Sequence, residues 1–293
     1  MNFPSQLQLK HAQTVFPDLP PDLIVKILTE VDEQTFSSLC SSIEFSSFCS
    51  SNSAFSEVIY EERAKRRVEK QFSRDLIKFK PHEMKWREFD KRIKELFRRN
   101  INTDRYLDIG ILSRNGRLME LKILYEITGV LPNLPNSNVA AGKGHLDILK
   151  WIYERDGTLP NIYGSNNAAE EGHLDVLKWI YEKNGILPDI IGVDDAAENG
   201  HLDVLKWIYE HPPYRLPGVH GANGAARNGH LDILKWIYDQ NGTLPDIIGV
   251  DVAAENGHLD VLKWIYEKNG ILPDAAAHNF HRDVVDWLAT KKN

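Results

Sequence analysis

The sequence predicts an all-α protein in three parts: a small N-terminal module of three helices, a basic helical connector, and an α-solenoid of about seven short units. Three observations carry this reading. A block of 28 or 29 residues recurs through residues 104–292. Inside each block the apolar residues fall at helical rather than alternating spacing. Residues 16–55 hold three short amphipathic segments separated by acidic residues.

Charge follows the same partition. Residues 1–50 carry 2 basic and 6 acidic groups, residues 51–100 carry 15 and 9, and residues 101–293 carry 18 and 27. No window approaches the 18 consecutive apolar residues of a membrane span, and the opening MNFPSQLQLKHAQTVF lacks the apolar stretch of a secretory signal. No membrane partner is expected, and a cytoplasmic or nuclear location is. Cys40 and Cys49 stand in neither a CxxC pair nor a histidine cluster, which argues against a disulfide scaffold or a zinc module. Asn241-Gly242-Thr243 forms a glycosylation triplet but reads as a turn.

The first element, residues 14–62, opens with Leu19-Pro20-Pro21, followed by Leu23, Ile24, Ile27, Leu28 and Val31 at helical spacing. Proline suits a first helical turn, where its missing N–H would have no partner anyway. A second short helix through Phe36 and Leu39 and a third through Phe48 follow, divided by Asp32-Glu33 and Glu44, with Phe55 closing the pattern. Helices this short bury little surface alone. They fit either a module that completes its core on a partner or a cap on the solenoid. This order of residues resembles the F-box, the segment by which substrate receptors dock on the Skp adaptor of cullin-type ubiquitin ligases. The resemblance implies that Leu19, Pro20, Leu23, Ile24, Ile27 and Leu28 meet that adaptor; the serine-rich third segment departs from the family pattern.

The connector, residues 63–103, interleaves its basic excess with Glu and Asp, and Trp86, Phe89, Ile93 and Phe97 recur at helical spacing. That is the pattern of a helix with a solvated charged face. Arg63 to Arg67 would otherwise read as a nuclear address or a nucleic-acid contact, so nucleic acid is not the expected partner.

The array, residues 104–292, is anchored by a glycine at 116, 144, 172, 200, 229 and 257, with a truncated last unit around His281. The stretch GHLDVLKWIYEKNG stands at 172–185 and again, unchanged, at 257–270. In the first of these, His173, Asp175, Lys178 and Glu182 are the polar positions, so the helix shows water only a narrow stripe. Asn184-Gly185 ends it as a C-cap does, and GVDDAAEN at 192–199 reads as a second, shorter helix whose alanines permit close packing. Paired alanines, the glycine-histidine turn and the aliphatic helix resemble the second half of an ankyrin repeat. The period is shorter than the roughly 33 residues of that family, and its opening T-P-L-H is absent, so short or missing β-fingers are expected.

Repeated letters are scaffold, because each unit packs on a copy of itself. The Trp at 151, 179, 207, 236, 264 and 287 and the Tyr two residues after the first five are therefore assigned to the core rather than to base stacking. The histidines at 145, 173, 201, 230 and 258 are too far apart to share a metal, and they read as turn residues that help cap the aliphatic helix. Recognition belongs to letters that differ between units. The row Asn138, Asn166, Asp194, Asn223 and Asp251, with the variable Val139, Asn167 and Asp195 beside it, is the candidate target-binding surface by the ankyrin resemblance; the same Asn and Asp residues equally suit helix capping. Tyr214, in the one unit lengthened by a residue (HPPYRLPGVHG, 211–221), is a further candidate.

No GxSxG, HExxH or phosphate-loop pattern is present, so neither an enzyme nor a cofactor is expected. The reading is a non-catalytic receptor that docks on an Skp adaptor and captures a target protein. Its alternative is a plain interaction scaffold whose N-terminal segment only caps the array. An F-box followed by short ankyrin-like units is similar to proteins abundant in giant DNA viruses, which would make the adaptor a host protein.

Overall fold

The computed structural model describes residues 21–41, 46, 48–50, 54–100, 105–274 and 281–291. Leu19, Pro20 and Glu44 lie outside them. All regular structure among the described residues is helical, with no strand. The chain forms two compact units, one of residues 1–104 with 122–129, the other of residues 105–121 with 130–293.

In the N-terminal unit, α1 (Pro21–Glu30), α2 (Glu33–Ser41) and α3 (Ala54–Gln71) enclose a core of Ile24, Leu28, Phe36, Phe48, Phe55 and Ile59. Asp32 starts α2 by accepting from the Thr35 N–H at 2.9 Å and from its hydroxyl at 2.7 Å. Those two bonds hold its carboxyl below the usual carboxylate range. A disulfide joins Cys40 to Cys49 across a Cα separation of 5.5 Å. Motif spacing did not anticipate this bond; it follows from folding, which sets the end of α2 against the helical turn at Phe48.

Arg63 locks the module. Its guanidinium donates to Leu28 O and Val31 O at 2.8 Å each, which are carbonyls that the end of α1 leaves without a helical partner. It also donates to Glu33 Oε2 at 2.6 Å and lies 3.9 Å over the Phe36 ring. The helix α3 runs unbroken past residue 62, the boundary expected between module and connector, and packs on α5 (Trp86–Asn100) beyond the short α4 (Arg74–Ile77). Phe89 and Ile93 are fully buried and Phe97 stacks on Phe72, as their helical spacing requires. Much of the basic excess is paired internally: Arg67 reaches Asp90 at 3.2 Å, Lys94 the same carboxylate at 2.9 Å, and Lys78 reaches Glu126 at 3.3 Å.

The second unit is a stack of helical pairs: α6 (Arg105–Arg114) and the start of α7 (Leu118–Thr128), then α8 (Leu134–Gly142) and α9 (Leu146–Asp156), α10 (Ile162–Glu170) and α11 (Leu174–Asn184), α12 (Ile190–Glu198) and α13 (Leu202–Tyr209), α14 (Val219–Arg227) and α15 (Leu231–Asn241), α16 (Ile247–Glu255) and α17 (Leu259–Asn269), closing with α18 (Arg282–Ala289). The first helices, α6, α8, α10, α12, α14 and α16, pack directly on one another, because Ala168, Ala169, Ala196 and Ala197 and their equivalents are fully buried and admit close backbones. The longer second helices end at Gly157, Gly185, Gly242 and Gly270, each in the left-handed conformation of a C-cap.

Three contacts recur from unit to unit. The first is aromatic: Tyr153 meets Trp179 edge-on at 5.9 Å, and Tyr181, Tyr209, Tyr238 and Tyr266 repeat this on the next tryptophan. Each such pair contributes about 0.5–1.5 kcal/mol beyond area burial. The second corrects the expectation for the histidines. They occupy the N-cap position of the second helices, but their side chains make no capping bond there. Each ring instead lies over the left-handed glycine of the preceding unit, where a Cβ on Gly172 would sit 2.5 Å from His201 Nδ1. The third contact is polar and belongs to the candidate site.

Candidate functional site

From α8 to α16 the first helices are nine residues long, and their sequence leaves one face outside. In α12 the buried side is Gly192, Val193, Ala196 and Ala197, so Ile190, Ile191 and Asp195 turn outward, while Asp194 and Glu198 reach toward the next first helix. The same geometry repeats along the stack. Tyr163 is 68% exposed, Ile191 62% and Ile248 64%, with Ile190, Val219 and Ile247 close to half exposed. One turn further along each helix stand Val139, Asn167 and Asp195, the variable row expected to face a target, with Val252 at the equivalent place on α16. Of these Asn167 is exposed and the others half-buried.

The polar row beside them is committed to the scaffold. Asn166 Oδ1 accepts from the backbone N–H of Asp189, the N-cap of the next first helix, at 2.9 Å, while Asn166 Nδ2 donates to Asp189 Oδ1 at 2.8 Å. Asn138 forms the same clamp on Asn161, and Asn223 on Asp246. Where the cap is Gly218, with no side chain to receive a donated proton, the row carries Asp194, which accepts from the Gly218 N–H at 2.7 Å. Asp251 accepts likewise from Asp274 N at 2.7 Å. These residues therefore cap, but across the junction between units rather than within their own helix.

Electrostatics separates this face from the rest of the array. Burial raises the Asp194 carboxyl above its ordinary range against the opposing pull of the Gly218 and Gly221 amides. Burial also raises Asp195, and repulsion from Glu170, Glu198, Asp194 and Asp189 adds to it. Two acids at the ends of these helices are neutralised, Glu171 by Lys143 at 2.7 Å and Glu198 by Arg227 at 3.1 Å.

Tyr214 is 59% exposed and has a φ of +56°, the only non-glycine residue with positive φ among those described. It stands four residues before its N-cap, as Gly185 does before Asp189, and so occupies the position that other units give to their C-cap glycine. Arg215 beside it donates to Pro188 O at 2.8 Å.

Of the residues expected to dock on an adaptor, Ile24 and Leu28 are fully buried in the module's own core, whereas Leu23 is exposed and Ile27 half-buried. The exposed Ile-Ile and Ile-Tyr doublets were not singled out by the sequence reading. Their signal was present all the same: a doublet directly after an Asn or Asp cap, on a helix whose inward stripe is already supplied by Gly, Val and Ala.

Among the described residues no group of three or more His, Cys, Asp or Glu is placed to hold a metal ion, and no helix is long and apolar enough to cross a membrane. No family model matches the chain, and no curated protein matches its sequence.

Proposed function

We propose that this chain is a non-catalytic receptor whose N-terminal module docks on the Skp adaptor of a cullin-type ubiquitin ligase while its ankyrin-like array holds a target protein. The observation that carries the reading is the division of the chain into a small closed helical module, which keeps Leu23 and Ile27 at its surface, and a repeat array with an outward apolar row. Holding the target beside the ligase raises the effective concentration of its lysines at the conjugating enzyme, so proximity supplies the rate.

A second reading has its own support. Ile24, Leu28, Phe48 and Phe55 complete the core without a partner, as a plain cap on an interaction scaffold would. Capture of purified Skp adaptor by the full chain separates the two. Leu23→Asp with Ile27→Asp, in a protein of unchanged helicity, abolishes capture if the receptor reading holds. No capture by the unsubstituted chain leaves the scaffold.

A further inference from the structure

The first-helix face of the array combines an exposed apolar row with acidic residues that have no counter-charge. Ile190, Val219 and Ile247 form one row through consecutive units, with Tyr163 and Ile191 beside it and Ile248 continuing that second line beyond His220. Contiguous exposed apolar surface of this kind marks an interaction site more often than a solvent face. Glu170, Asp195 and Glu255 border it, and none of them has an ion-pair partner among the described residues. Two cations beside these acids are already paired, Lys143 with Glu171 and Arg227 with Glu198. On the second helices, by contrast, acids alternate with lysines, as in Asp175, Lys178, Glu182 and Lys183.

We infer that this face takes a basic amphipathic helix of a partner protein, with the partner's apolar residues on the isoleucine row and its lysines or arginines against Glu170, Asp195 and Glu255. The assignment deepens the receptor reading and rests on it for the identity of the bound class as a target. Charge selects the occupant, since an acidic face repels nucleic acid and anionic lipid and attracts a cationic segment. Spacing selects its conformation. Packed helices lie about 8–10 Å apart, so the apolar row repeats at about that interval. A helix places residues seven apart on one face about every 10.5 Å, whereas the roughly 6.6 Å two-residue repeat of a strand falls out of step within one unit. The polar clamp behind the row fixes its registration, because Asn166 and Asn223 tie each first helix to the next.

The test is titration of the full chain with a fluorescently labelled three-heptad Leu/Lys peptide, beside its Leu/Glu counterpart and a Leu/Lys peptide broken by proline. Saturable one-to-one binding of the first, at least tenfold weaker binding of the other two, and affinity that falls with salt are expected. Ile191→Ser with Ile248→Ser weakens binding at least tenfold without lowering the melting temperature, as both side chains are mostly in solvent. Equal affinity for the Lys and Glu peptides, or indifference to the serine substitutions, overturns the assignment. So does concentration-dependent dimerisation that the same substitutions abolish, which would give the face to a second copy of the chain. Adaptor capture reads α1 and not this face, so intact capture beside a failed titration removes this assignment alone.

Discussion

Replacing Gly172 by alanine tests the contact between units that the histidines make. Gly172 has a φ of +76°, and an alanine held there carries a left-handed cost of about 1–2 kcal/mol. Its Cβ would also stand 2.5 Å from His201 Nδ1 and 2.6 Å from Cε1, inside the approach that real Cβ atoms make. The ring must move or the junction must open, and overpacking of that kind costs about 1–3 kcal/mol. Gly185 supplies the control, since its φ is +72° and a Cβ there meets nothing within 4 Å. Gly185→Ala therefore carries the first cost alone, and Gly172→Ala exceeds it by the histidine contact. Urea unfolding followed by far-UV circular dichroism measures both. A third variant, Gly172→Ala with His201→Ala, closes a cycle in which removing the ring recovers most of the excess. Equal costs at the two glycines, or an excess that survives loss of the ring, would refute the packing described.

Further outcomes follow from the same geometry. Tyr214→Gly raises stability by about 1 kcal/mol in urea unfolding, because glycine adopts the left-handed conformation without the penalty that tyrosine carries. Arg63→Ala strands the Leu28 and Val31 carbonyls and costs the N-terminal unit about 3–5 kcal/mol; calorimetry then shows that unit melting early while the array transition stays in place. Asp195→Asn stabilises the array at neutral pH by up to about 0.5 kcal/mol. The folded carboxyl binds its proton more tightly than the unfolded one, so the wild-type array gains stability as pH falls through the folded value. The difference between the two proteins closes below about pH 4, the unfolded reference range. A melting-temperature gap that persists in acid would place the effect elsewhere.

The helices were legible because burial follows the period of the sequence. Most offsets read as apolar in the repeated block, Val176, Leu177, Trp179 and Ile180, are buried. Leu174 and the tyrosines assigned to the core stay partly exposed, because they lie at the edge of the covered stripe. Gly185 ends its helix where the Asn-Gly pair placed the stop. What stayed hidden involves partners outside the local window. His201 looked like a cap for its own helix, yet it packs on Gly172 of the preceding unit. Asn166 could be a cap or a contact, and its real partner, Asp189, lies 23 residues away. The apolar face of α1 was evident, but a pattern of Ile24, Ile27 and Leu28 does not say whether the cover comes from Phe36 and Phe55 of the same chain or from another protein. The Cys40–Cys49 bond was missed for the same reason, since it depends on where α2 and the turn at Phe48 meet.

The lengthened unit shows how strongly the stack imposes its register. Helix α13 stops at Tyr209, Tyr214 takes the left-handed position of a glycine, and Gly218 brings no side chain to cap α14, in contrast to Asp189 and Asp246, which accept from amides of the helices they start. Each loss is met by a side chain from a neighbour. The His211 ring packs against Tyr181 and Trp207 at 4.9 and 4.7 Å, Arg215 ties the loop to Pro188 O, and Asp194 receives the Gly218 amide. The first helix of this unit consequently stays in line, and Val219 joins the exposed row. At the position of Ile191 and Ile248, however, α14 carries His220, and at that of Glu198 and Glu255 it carries Arg227. The apolar, acidic face is therefore two stretches, one on α10 and α12 and one on α16, separated by a more basic rung. A basic helix that spans both passes over that rung, where Arg227 is already held by Glu198, and the interruption gives the face a selectivity which identical units could not supply.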